Sequence, residues 1–495
     1  SQALTGIENN AGSTPATNSV NINNNVITGC AYPGATSASF NGIINFASAS
    51  YVSISGNSFS NNTIAGTTST GGFINNSGAA TSVININNNT GAANSLNFTG
   101  GTSGSFKFID NASGASTATL NIMGNNVQGI VYSATASGVP VFIFNGATTI
   151  TQNIINNTFT NLLLNTTGGV TFIANSVSVP ANSTQNINGN SIVTGFSKTG
   201  AGGTINLYTT NASSAAGSIT NNMNNNFSNI TLTGATTMAG WVNTDGGSPR
   251  KNISANTFTN WVCGTSAVTC INNNFSGVNT SVSSNTISNI TGQGAITGIT
   301  LGASNSGSLQ TVAFNSITTL NSITTGGAIT GINIGASSIT SLNINNNTIG
   351  SFTTAGASLV SGITDALANT SAIFSNKIYD LTSNNSGGTV NGIRSTAGTQ
   401  NINNNLVGDL KTPLANAANP LIGINVTGGS TMNIYYNSVY LNASSSGAQF
   451  GSSALLASTT PNLVLRNNIF ANLSTAVGTG STVAYRRSST TISSY

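Results

Sequence analysis

The sequence predicts an all-β fold, a right-handed parallel β-helix of about 15 coils of roughly 32 residues, with three short strands in each coil. Three observations carry this expectation. A marker asparagine recurs at near-constant spacing, a Gly-Ile pair recurs in phase with it, and apolar residues alternate with a period of two.

The marker lies in the pattern apolar-x-x-Asn-x-apolar. It reads INNNVI to Ile27, ISGNSF to Phe59, IINNTF to Phe159 and INGNSI to Ile192, and returns as VSSNTI, INNNTI, IFSNKI and IYYNSV. The asparagines are Asn25, Asn57, Asn89, Asn125, Asn157, Asn190, Asn226, Asn256, Asn285, Asn315, Asn347, Asn376, Asn405, Asn437 and Asn468, with steps of 29 to 36 residues. The flanking apolar residues slip by one around Asn226, and Asn175 and Asn274 are extra copies that fall between steps. The second marker is Gly-Ile at Gly298, Gly331, Gly362, Gly392 and Gly423.

Within a repeat such as GINIGASSITSLNINNNTIGSF, Ile332 and Ile334 alternate with polar residues, as do Leu342 and Ile344. That is the pattern of half-buried strands, and Gly/Ser clusters between the runs read as turns. One repeat cannot bury its own apolar side. Stacked repeats can, with strands of adjacent coils paired about 4.8 Å apart. Parallel crossovers are overwhelmingly right-handed, which sets the expected hand. The marker asparagine is expected to take left-handed backbone angles at a bend and to bond its equivalent one coil away. Residues 1–20 are expected as an irregular lead-in or incomplete coil, and 21–495 as one continuous helix.

Charge is scarce: 10 Lys/Arg and 6 Asp/Glu, with no His. A charge copied at every coil would repel itself, so a stacked repeat disfavours it. No basic cluster is dense enough for nucleic acid, and no apolar run is long enough to span a membrane. Missing His removes Ser-His-Asp and Cys-His catalysis, and the three cysteines are not at metal-ligand spacing. No cofactor or metal is expected.

The repeats resemble the right-handed parallel β-helix superfamily of pectate lyases and many surface proteins. The stretches NIYYNSVYLN and VAYRRSSTTISSY resemble large secreted Asn/Ser/Thr/Gly-rich, adhesin-like surface proteins of Bacteroidota. The resemblance implies secretion to the cell surface or beyond, and it specifies architecture better than activity.

The leading expectation for function is an extracellular structural or adhesive solenoid, a stalk or filament-forming segment without catalysis. Its expected partners are further repeats or copies joined end to end, with polysaccharide a further candidate. The alternative is a polysaccharide-binding or polysaccharide-cleaving β-helix. Two places bear on that alternative. Asp380 and Asp409 each lie four residues after a marker and should stack on adjacent coils, where paired carboxylates can bind a cation or cleave a glycoside. Lys377 and Lys411 stand ready to compensate them instead. Trp241, Trp261, Asp245 and Arg250 sit where the pattern is interrupted, and an exposed Trp beside charges can hold a sugar ring. Tyr435, Tyr436 and Tyr440 are expected to stack for packing. Cys263 and Cys270 flank CGTSAVTC and are a candidate disulfide.

Overall fold

A computed structural model describes residues 2–12, 17–33, 37–210, 213–244, 250–274, 277–302, 306–307, 309–324 and 326–487. Every regular element among them is a β-strand. The chain forms two compact units, an N-terminal one of Ser1–Asn252 with Val262–Gly264, and a C-terminal one of Ile253–Trp261 with Thr265–Tyr495.

Each unit is a parallel β-solenoid. In the N-terminal unit one coil runs through a first-face strand (Val141–Asn145), a second-face strand (Thr151–Ile155) and a third face split into Thr158–Thr160 and Leu162–Thr166. Each strand pairs in parallel with its equivalent one coil on, as in Ile143↔Ile173 and Ile154↔Ile187. In the C-terminal unit a coil reads Thr389–Ser395, Thr399–Asn403 and Leu406–Lys411, with Ile393↔Ile424 and Ile402↔Ile434 in register. The segment expected as a lead-in contains the strand Gln2–Asn9, paired in parallel with Ala38–Asn45.

The core is the set of inward alternate positions. In the C-terminal unit Ile299, Ile332, Ile363, Ile393 and Ile424 stack in one fully buried column. In the N-terminal unit rings fill the space: Phe59 stacks on Phe73 at 4.3 Å, and Phe142 meets Phe172 edge-on at 5.2 Å. The Gly-Ile marker belongs to the first face, and its glycines are there for space. A Cβ on Gly331 would lie 2.6 Å from the Gly362 carbonyl oxygen, and one on Gly392 would lie 2.6 Å from that of Gly423.

The marker asparagine builds a buried ladder at the corner between the second and third faces. In the N-terminal unit it runs Asn25, Asn57, Asn89, Asn125, Asn157, Asn190, Asn225. Each Nδ2 donates to the Oδ1 of the next at 2.9–3.0 Å. In the C-terminal unit Asn256, Asn285, Asn315, Asn347, Asn376, Asn405, Asn437 and Asn468 repeat this at 2.9–3.1 Å. The same Oδ1 also takes the backbone N–H of the preceding ladder residue, for instance Asn125 N to Asn157 at 3.1 Å. The remaining amide hydrogen goes to a carbonyl three residues before the previous ladder position, as from Asn157 to Ile122 at 2.9 Å. An interior member therefore has both donors and both acceptor sites used, the condition for burying an amide without cost.

Two expectations about this marker are corrected. The ladder member near the slip is Asn225, which is buried, and Asn226 is exposed. Asn225 keeps the apolar partner two residues on, at Phe227, as the pattern requires. The left-handed bend does not fall on the marker either. It falls one residue earlier, from Asn24 and Gly56 through Ala255, Ser284, Phe314 and Tyr436 to Asn467, with φ between 50° and 68°. The marker turns its amide to the next coil, and its neighbour makes the bend.

A second ladder in the N-terminal unit ends the first-face strands: Asn9, Asn45, Asn76, Asn111, Asn145 and Asn175, joined at 2.7–3.0 Å. Asn175, the extra copy seen in the sequence, is its last member. From there the network passes to Gln152 at 3.0 Å, which also receives Gln185 at 3.1 Å.

Candidate functional site

The charged stretch near the C-terminal end places Asp380 and Asp409 as the sequence indicates. Both occupy a left-handed bend four residues after the ladder, with φ of 53° each, and the strand register puts them on adjacent coils. Small polar residues tolerate that geometry, and Asn260 and Asn289 hold the same place in other coils. Lys411 Nζ bridges the two, 2.8 Å from Asp409 and 3.2 Å from Asp380. The hydrogen bond to Asp409 above all holds the Lys411 ammonium up from its ordinary value. The lysine thus occupies the place a cation would take. Lys377 plays no part in this bridge; its Nζ lies over the Tyr379 ring at 4.7 Å.

The tryptophan site is not built as expected. Trp241 and Trp261 are both 0% exposed, so neither can offer a face to a sugar. Trp241 stacks on Tyr208 at 4.7 Å and donates its indole N–H to Asn222 at 2.7 Å. Trp261 meets Phe258 edge-on at 5.9 Å. Their alternation phase points inward, and a large ring fills an irregular coil. Arg250 is exposed, and Asp245 lies outside the described residues.

The candidate disulfide is also corrected. Cys30, Cys263 and Cys270 are all thiols. Cys270 is buried within the strand Val268–Asn273, and Cys263 is buried just after the strand Thr257–Val262. Burial pushes the Cys263 thiol up to about 12. Nor do the tyrosines stack: Tyr436 is 57% exposed at a left-handed bend, Tyr440 is exposed, and Tyr435 lies under Arg466 at 5.7 Å.

Among the described residues, three charged side chains are buried. Lys198 donates to the carbonyls of Gly200 and Gly202, the latter at 2.7 Å, and burial lowers its pKa to about 8. Lys251 is fully buried, which holds it well below the ordinary lysine value. Asp365 takes Ser371 Oγ at 2.5 Å and Leu367 N at 2.9 Å, and burial raises it to about 6 despite these bonds. Its strand position is the one that carries Asn in the N-terminal unit, and the Leu367 contact repeats that of Ala47 N with Asn45. These groups are enclosed and serve the fold.

One concave feature was not singled out in the sequence. It lies on the outer side of the first face in the N-terminal unit, at Gly71, Gly72, Lys107 and Asp110. Its only sequence signal is the Gly-Gly pair, one coil before one of the chain's few charge pairs. Among the described residues no group of three or more His, Cys, Asp or Glu is placed to hold a metal ion. No protein-family model, curated protein or solved structure matches the chain.

Proposed function

We propose that the chain is a structural or adhesive β-solenoid segment of an extracellular, cell-surface protein, with no catalytic activity of its own. The carrying observation is the asparagine ladder. The same four hydrogen-bonding sites are filled coil after coil, although the steps between ladder positions differ in length. Such a repeat extends by adding copies, and neutral polar surfaces keep adjacent copies from repelling one another. The Lys411 bridge weakens the catalytic alternative, since it ties up in ion pairs both members of the one stacked carboxylate pair expected from the sequence.

Two measurements test the reading together. Immunogold labelling of producing cells is expected at the surface, and the purified protein is expected to release no sugar from a polysaccharide panel. Sugar release that disappears in Asp380→Asn overturns it in favour of the alternative.

We also propose that further coils, of this chain or of a second copy, join end to end. In support, Leu465 and Phe470 in the last described coil are half-buried, while Ile434 and Val439 one coil earlier are fully buried. Sedimentation over a range of concentrations is expected to show multiples of the chain mass. A single monomeric species throughout rules out joining of copies.

A further inference from the structure

The outer third face of the C-terminal unit changes character toward its last described coils. Its first outward column carries Thr286, Ser316 and Thr348 in early coils and Leu406, Ser438 and Ile469 in late ones. Leu406 and Ile469 are exposed where the repeat elsewhere accepts Ser or Thr. Tyr440 is 47% exposed in the neighbouring column. Tyr436 at the preceding bend and Leu473 after the strand Ile469–Asn472 are exposed as well. Single exposed apolar residues are ordinary; five together on one side point to a surface that something covers.

The second outward column supplies a shape. In register it reads Thr318, Gly350, Tyr379, Gly408 and Tyr440. The Tyr379 ring folds back over Gly350: a Cβ on that glycine would lie 2.9 Å from Cε1 and from Cζ of the ring. Tyr440 does not do the same to Gly408. A Cβ there would meet only the Tyr440 carbonyl oxygen, at 3.4 Å, and Tyr440 Cβ, at 4.0 Å. No left-handed angle demands glycine at Gly408. The column therefore holds one hollow that a tyrosine fills and, two coils on, an open hollow beside an exposed tyrosine.

We propose that this face pairs with the same face of a second copy, the Tyr440 ring of each lying in the Gly408 hollow of the other. Ring and hollow stand one coil apart in one column. A two-fold axis perpendicular to the face and passing between them fills both hollows at once, the self-complementary arrangement of an isologous contact. The two Tyr440 rings then run side by side about one coil spacing apart, ~4.8 Å, within the range of ring stacking. The axis reverses the coil order, so Lys377, Asp380, Asp409 and Lys411 face the two later coils of the other copy. The strands there, Ser438–Leu441 and Ile469–Asn472, carry no charge, so like charges do not meet. The five apolar and aromatic side chains expose on the order of 500 Å² in each copy, and covering both sets removes about 1,000 Å², the size at which an interface becomes specific. The contact is lateral and does not depend on the end-to-end joining proposed above.

The test is sedimentation of the full chain from about 1 to 200 µM, repeated with Gly408→Thr and Tyr440→Ser. Thr318 and Ser288 stand in the same column, so each variant installs a side chain the fold already accepts; an unchanged far-UV circular dichroism spectrum confirms it. The expected result is a dimer of the parent chain whose dissociation constant rises about tenfold or more in both variants, the loss typical of an anchoring tyrosine. A parent chain that stays monomeric overturns the proposal and leaves the patch to a different protein. Association that either variant leaves unchanged also overturns it. End-to-end joining alone gives that second outcome, so the two contacts are told apart.

Discussion

Asn157 and Asn153 lie four residues apart in one coil, and both bond to asparagines of adjacent coils, yet substitution should treat them very differently. Asn157→Ala strands the Asn125 amide, the Asn125 backbone N–H and the Ile122 carbonyl inside the protein. The expected loss is roughly 2–4 kcal/mol in chemical denaturation, from the cost of leaving buried polar groups unpaired. Asn153 bonds Asn121 at 2.8 Å on the partly exposed outer face, where water replaces the lost partner, so Asn153→Ala should cost less than about 1 kcal/mol. Equal losses would mean that burial is not what gives the ladder its weight. The bends offer a gain instead. Thr319 is β-branched and holds a φ of 57°, a backbone region unfavourable to L residues by roughly 1–2 kcal/mol. Thr319→Asn should raise the unfolding midpoint, and a lowered midpoint would show that its methyl group matters more than the strain. Asp365 sets a pH dependence. Burial raises it from 3.8 to about 6 in the folded chain, so the folded form holds its proton more tightly than the unfolded form. Its contribution to stability is complete below pH ~4 and is lost as pH rises to ~6, on the order of 2–3 kcal/mol. Asp365→Asn should abolish that slope and be the more stable protein at pH 7, since an amide oxygen still accepts from Leu367. Denaturation midpoints at pH 4 and pH 7 for both proteins check this, and parallel slopes would rule out Asp365 as the source.

At the scale of the strand and the coil, the sequence revealed what repeats and hid what is local. The ladder was legible because one residue type must stand at one corner of every coil. Its bend was not, because the residue before the marker is Gly, Asn, Ala, Ser, Phe or Tyr in turn, and no single composition marks it. The second ladder had a signature in FINN, FIDN, FIFN and FIAN, ending at Asn76, Asn111, Asn145 and Asn175. It escaped notice because in the C-terminal unit the same strand position carries Leu301, Ile334, Asp365 or Ser395. The stacked pair Asp380 and Asp409 followed from counting along the repeat. The burial of Trp241 and Trp261 did not, since interrupted pattern leaves the alternation phase open. The cysteines show the same limit: spacing permits a disulfide, and the structure has all three as free thiols. In the native protein, a thiol reagent should modify the half-exposed Cys30 and leave Cys263 and Cys270 untouched until denaturant is added. Reducing agent should leave the melting curve where it is. A reagent count of one thiol after full denaturation would restore the disulfide.

For the whole molecule, the scarcity of charge means that its stability rests on terms salt does not screen. The ion pairs Lys107–Asp110 and Lys411 with Asp380 and Asp409 are partly exposed, a class that contributes little. Raising sodium chloride from about 0.05 to 0.5 M should therefore leave the unfolding midpoint almost unchanged, although it shortens the Debye length several-fold. A large shift would point to electrostatics that the composition does not suggest. The marker ladder has one more property, which comes from the inequivalence of its two sides. Toward the following coil each asparagine presents hydrogens, from its amide and its own backbone; toward the preceding coil it presents its oxygen to accept them. The row of amides is thus polarised along the stacking direction, every dipole reinforcing the next. A newcomer at the trailing side must arrive oxygen first, and one at the leading side must bring hydrogens. Two like ends meeting face to face would set oxygen against oxygen or hydrogen against hydrogen. Any assembly that continues the ladder is therefore head to tail, a heterologous contact that no two-fold axis can produce.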